Sequence, residues 1–141
     1  MRSNIYSVGL NHVGAYQVSG APYLSGSNMP GDTTTSLRFQ FPTVAKDITV
    51  KSNFGQPIRV HFAPYQPGDH GYTGGAVTNN NFVTIPANGS ETFEFKCKEI
   101  FVSSTHASAG STNDDVQVFA ELTNIPAERM FSLDGVVGVT N

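Results

Sequence analysis

The sequence predicts an all-β fold: an antiparallel β-sandwich, jelly-roll-like, of about seven to eight strands with an extended N-terminal arm. Apolar and polar residues alternate over 37–41, 47–51, 58–62, 91–97 and 116–122, which is the period of a half-buried strand. Clusters of Gly, Pro and Asn separate these stretches at intervals of roughly ten residues, and no helical period intervenes. Composition agrees. Charged residues make up 13% of the chain, against roughly 25% in ordinary globular domains, while ten Phe remain to build a core. A length of 141 residues suits one domain, able to bury roughly 70% of its unfolded surface.

Taken in order, residues 1–35 read as an extended Gly-rich arm. Gly9, Gly14, Gly20, Gly26 and Gly31, with Pro22 and Pro30, break helix and long strand alike. Its spaced apolar residues Ile5, Tyr6, Val8, Val13, Tyr16, Val18 and Tyr23 are candidate contacts, packing either on its own domain or on a neighbouring subunit. The β-sandwich domain occupies 36–126. Its first strand, 37–41, is expected to close at Pro42. Strands 47–51 and 58–62 flank Ser-Asn-Phe-Gly-Gln-Pro and read as a hairpin with Ile48, Val50, Ile58, Val60 and Phe62 inward, leaving His61 outward and solvated.

The longest loop is 64–81. Strand 82–85 leads into Pro-Ala-Asn-Gly-Ser, whose Asn88-Gly89 pair suits a tight reversal with positive φ. Phe93, Phe95 and Cys97 then share an inward face, with a kink expected near Lys98 and Glu99. A second small-polar loop, 103–115, precedes strand 116–122, and Pro126 ends it. Residues 127–141 form a C-terminal tail with one possible helical turn at 127–130 and a possible edge strand.

Several function classes are excluded on charge and chemistry. Net charge is −3 and the eight basic residues are scattered, so the clustered cations that neutralise phosphates are missing and no nucleic-acid partner is expected. No stretch approaches the roughly 18 apolar residues of a membrane span, and the N-terminus carries no secretory pattern; no membrane partner is expected. The single cysteine cannot form an intrachain disulfide, and its alternation with phenylalanines makes it a core residue rather than a nucleophile.

Asp69, His70, His106, Asp114 and Asp115 lie in the two long loops, but without metal-ligand spacing. No Gly-x-Ser-x-Gly elbow or phosphate-cradling Gly-Lys motif occurs. The expectation is therefore no enzyme, no catalytic residue, no metal and no cofactor. Tyr65 and Tyr72 flank the Pro-Gly-Asp-His loop tip. Together with Asp69 and His70 they offer rings for stacking and polar groups for hydroxyls, a candidate loop-tip binding site.

The strands and turn of 48–62, the strand-turn-strand of 82–102 with its Ala-Asn-Gly-Ser reversal, the closing 116–126 and the opening 11–23 together resemble small virion structural proteins of tailed bacteriophages, marine ones in particular. The resemblance implies a capsid decoration, or cement, protein on a β-sandwich. Its partners would be the major capsid protein and neighbouring copies of itself. It would be made in a host bacterial cytoplasm and end on the capsid surface of the virion. The alternative is a carbohydrate-binding or host-recognition module, or a tail or baseplate component.

Overall fold

The computed structural model describes residues 21–31, 35–63, 81–106, 109–110 and 113–133. Seven strands are present among them: β1 (Pro22–Ser27), β2 (Ser36–Ser52), β3 (Ile58–His61), β4 (Val83–Ile85), β5 (Ser90–Phe93), β6 (Cys97–Ser104) and β7 (Val116–Pro126). A short 3-10 turn, Ala127–Arg129, follows β7. All pairings are antiparallel, in the order β1-β7-β2-β6-β3-β4, with β5 beside β2. The fold is all-β, an open sheet with a sandwich-like core.

β2 organises everything else. Its seventeen residues pair with β6 through their first part and with β7 and β5 through their last. Phe93 faces Ile48 and Cys97 faces Ala45, so β5 and β6 run along β2 as one strand interrupted at 94–96. Four steps from Phe93 to Cys97 match three from Ile48 to Ala45. The extra residue is a bulge, and it turns Phe95 outward to 48% exposure. The expected inward Phe95 is corrected by this bulge. The kink expected near Lys98 and Glu99 is present as well: the β6 register shifts between the Gln40–Glu99 and Ala45–Cys97 pairs, leaving Lys98 against residues 41–44 of β2.

Pro42 does not end the first strand; it sits inside β2. The β6 register shifts between Gln40 and Ala45, and the β7 register between Thr43 and Ala45. A proline is tolerated where the ladder is already broken. The hairpin expected across 48–62 is also corrected. The end of β2 has β7 on one flank and β5 on the other, so β3 finds no free edge there and pairs with β6 and β4 instead.

The Asn88-Gly89 reversal forms as expected: Asn88 has φ 57 and the Gly89 N–H donates to the Pro86 carbonyl at 2.9 Å. It joins β4 to β5, which pair with different neighbours.

The sheet starts earlier than the sequence suggests. Pro22–Ser27, within the expected arm, pairs with β7 along its whole length. Gly and Ser at 25–27 hide this strand from periodicity. Residues 1–20 and 134–141 of the expected arm and tail lie outside the described residues.

One cluster gathers Phe39, Ile48, Val60, Ile85, Ile100 and Val118 among others, drawn from β2 to β7. The cluster spans the sheet from β4, at one end of the strand order, to β7, near the other. Its residues are buried with no α-helix over them among the described residues, so the sheet supplies its own cover in a sandwich-like core. Fully burying each such side chain contributes roughly 1.5–3 kcal/mol. A smaller cluster of Val44, Ile125 and Met130 closes the bend of β2. There the Thr123 hydroxyl donates to the Val44 carbonyl at 2.7 Å and accepts from the Ile125 N–H at 3.2 Å.

Candidate functional site

Val116, Val118, Ala120 and Leu122 of β7 are buried, so strand alternation sends Phe119 to the opposite face. Its cross-strand partner on β1 is Leu24, and its partner on β2 is Thr49, which in turn faces Thr92 of β5. These four form one row across the outer face. Leu24 is 71% exposed and Phe119 37%. The hydroxyls of Thr49 and Thr92 are 2.9 Å apart and hydrogen-bonded. A large aliphatic and an aromatic stand side by side there and form an apolar step on a solvent face.

Charges flank the row in order. Two residues along β2 in one direction stands Lys51, level with Gln117 of β7; two residues in the other stands Asp47, level with Glu121. Burial raises the Asp47 carboxyl above its ordinary value, helped by a hydrogen bond with Glu121 and by repulsion from Glu121 and Glu94; Lys46 opposes the shift. Lys46 Nζ lies 3.4 Å from Glu121. Beside this group an open, shallow depression is lined by Lys46, Asp47, Glu94, Phe95 and Lys96. The Phe95 ring closes one side, packed against Phe62 with centroids 5.1 Å apart. The arrangement offers apolar contact with charged borders of both signs.

Other sequence candidates fall elsewhere. Tyr23 faces inward, its ring edge-on to Phe41 at 4.9 Å, where it serves the domain's own core. Ile5, Tyr6, Val8, Val13, Tyr16 and Val18, and the loop-tip residues Tyr65, Asp69, His70 and Tyr72, lie outside the described residues. Cys97 is fully buried, and burial pushes its thiol up to about 12; a protonated thiol in a core is a weak nucleophile. Asp115 is buried, with its carboxylate 3.4 Å from the Met29 N–H, which donates to it. Its neighbour Asp114 is exposed, and the Asp114 carbonyl accepts from the Asn53 side chain at 2.8 Å. Among the described residues no three His, Cys, Asp or Glu are grouped to hold a metal, and no helix is long and apolar enough to cross a membrane.

His61 is the clearest correction. Expected on the outward face, it is 4% exposed. β3 ends at His61 and the chain bends at once, so alternation stops and Val60 and His61 are both buried. A carbonyl only accepts, so Nδ1–H donates to the Ala63 oxygen at 2.6 Å. In the neutral ring Nε2 then accepts from the Ser103 hydroxyl at 3.2 Å. The ring stacks on Phe101, its cross-strand partner, at 5.7 Å. A Ser-His pair so enclosed holds the end of β3 in place.

The sequence already carries a signal for the outer row, since Phe119 is the large apolar residue on the polar phase of an otherwise clean alternation. Leu24 and the Asp47–Glu121 pair need the strand register.

The chain matches no known family. Neither the curated proteins nor the solved structures include a match to it.

Proposed function

We propose that the chain is a non-enzymatic structural virion protein that binds the outside of a bacteriophage capsid and reinforces contacts between shell subunits. The observation that carries this reading is the exposed Leu24–Phe119 step on the outer sheet face. Apolar and aromatic side chains at the centre of a patch with a polar rim are the anatomy of a protein-binding surface. The resemblance of the strand-and-turn pattern to small virion proteins supplies the class of partner, the major capsid protein and further copies of this chain.

Low charge suits that role. A domain with 13% charged residues docks by shape and hydrogen bonds rather than by long-range steering. Many identical copies then gain avidity on a repeating lattice without stronger individual contacts. On this reading the chain is made in the host cytoplasm and acts on the capsid surface.

The test is co-sedimentation of the full chain with shells assembled from the major capsid protein encoded in the same genome, followed by the heat-rupture temperature of the decorated shells. Saturable binding and a higher rupture temperature are expected. Failure to sediment with shells, or saturable binding on a glycan array in its place, overturns the reading.

A further inference from the structure

We propose that two copies of this chain join face to face through the outer row Leu24, Phe119, Thr49 and Thr92, about a two-fold axis lying along that row. This deepens the proposed reading by assigning the Leu24–Phe119 step to contacts between copies, with the shell met by another face, and it rests on that reading for its purpose alone.

The inference stands on how charge is distributed around the row. An isologous interface places each residue on the axis opposite its own equivalent. A charge on the axis would therefore repel itself. All four residues of the row are uncharged.

Rotation about the row reverses strand direction, so a residue two places one way meets the residue two places the other way in the second copy. On β2 those residues are Lys51 and Asp47, of opposite sign; on β7 they are Gln117 and Glu121, a carboxamide and a carboxyl. Each pair stands at an equal offset from the axis, roughly 7 Å at strand rise. Sheets stack roughly 10 Å apart, a gap that a lysine side chain spans.

The same geometry serves the acidic end. Asp47 and Glu121 sit together with Glu94 near by and share Lys46. The second copy's Lys51 would add a cation to that group. Leu24 and Phe119 would be covered by their own equivalents, which removes the apolar step from water. One such face is small beside a stable dimer interface, so the association is weak in solution and effective at the local concentrations of a lattice.

The experiment is sedimentation velocity of the full chain over a wide concentration range, at low salt. Concentration-dependent dimer formation is expected. Lys51→Glu alone and Asp47→Lys alone each weaken it at least tenfold, because each places like charges opposite. An equimolar mixture of the two variants restores it. In the mixed pair the introduced glutamate of one copy meets the introduced lysine of the other, and the remaining native Asp47 meets the remaining native Lys51.

Thr49→Cys provides a measurement that needs no charge reversal. It lies on the axis, roughly 10 Å from its equivalent across the stacked sheets. That is too far for a disulfide but within reach of a short bis-maleimide, which should link the two copies. Lys51→Cys, off the axis and farther from its own equivalent, should not be linked. A chain that stays monomeric throughout, a mixture that fails to restore association while both variants keep the wild-type circular dichroism spectrum, or equal cross-linking at positions 49 and 51 overturns the interface. A monomer that still sediments with shells would remove this interface and leave the shell reading intact.

Discussion

Asp47 stands directly opposite Glu121 on β7, and its carboxyl is held above the ordinary value, first by burial and then by hydrogen bonding to and repulsion from Glu121. Two acids can make such a contact only when one of them carries the proton. At neutral pH the fold therefore holds a partly repulsive pair at the border of its exposed apolar row.

This pair sets a pH dependence. Asp47 has its folded value raised above 3.8, first by burial and then by Glu121, so the folded state holds that proton more tightly than the unfolded chain does. Stability from this group is fully present below pH 3.8 and is lost as pH rises through the raised folded value. Asp47→Asn keeps the hydrogen bond and removes the charge. It should raise the urea midpoint at pH 7 and lose that advantage below pH 3.8. An unchanged difference across the range would show that the pair is not coupled.

His61 tests whether a buried polar contact holds the end of β3. His61→Leu leaves the Ala63 carbonyl and the Ser103 hydroxyl without the ring that bonds both. The expected loss is about 2–3 kcal/mol in denaturant unfolding. A solvated histidine would give a change within about 0.5 kcal/mol.

Two glycines should respond in opposite directions. A Cβ at Gly110 would lie 2.6 Å from the Met29 nitrogen and closer still to the Asp115 carboxylate, so Gly110→Ala should cost about 1–3 kcal/mol by overpacking. At Gly55 nothing lies within 4 Å. Gly55→Ala should be neutral or stabilise by up to about 1 kcal/mol through the unfolded chain. Thermal midpoints of the two variants decide.

Cys97 should be inert in the native state. With its thiol pushed up to about 12 and no solvent exposure, Ellman's reagent at pH 8 should label it only at the rate of unfolding. Rapid labelling of the native protein would contradict its burial.

The fold class is legible because alternation is a local property. The phase of Val116, Val118, Ala120 and Leu122 reads straight from the chain, as does the inward placement of Ile48 and Val50. Misreadings arise where a neighbour strand decides. Phe95 keeps perfect alternation with Phe93 and Cys97, yet one extra residue relative to β2 turns it outward. His61 keeps its alternation too, but the bend after β3 buries it. β1 is hidden because Gly26 and its small or polar neighbours carry no pattern, and only pairing with β7 makes it a strand. The outer row is likewise a product of register. Its four residues come from four separate strands, so no single stretch of sequence displays it.

The place of β2 in the sheet has a consequence for how the chain reaches this fold. Every strand that pairs with β2 begins at residue 90 or later, so its hydrogen-bonding groups wait for partners that are still to be synthesised. At roughly 5–20 residues per second that interval lasts seconds, and the closing pairing with β7 comes last of all. Such distant pairing makes folding slow and its onset late. During that interval Phe39, Phe41, Ile48 and Val50 face water on an unpaired strand. The nascent chain is therefore most vulnerable to aggregation between completion of β2 and arrival of β7, and a chaperone that binds extended apolar segments would find its best target there.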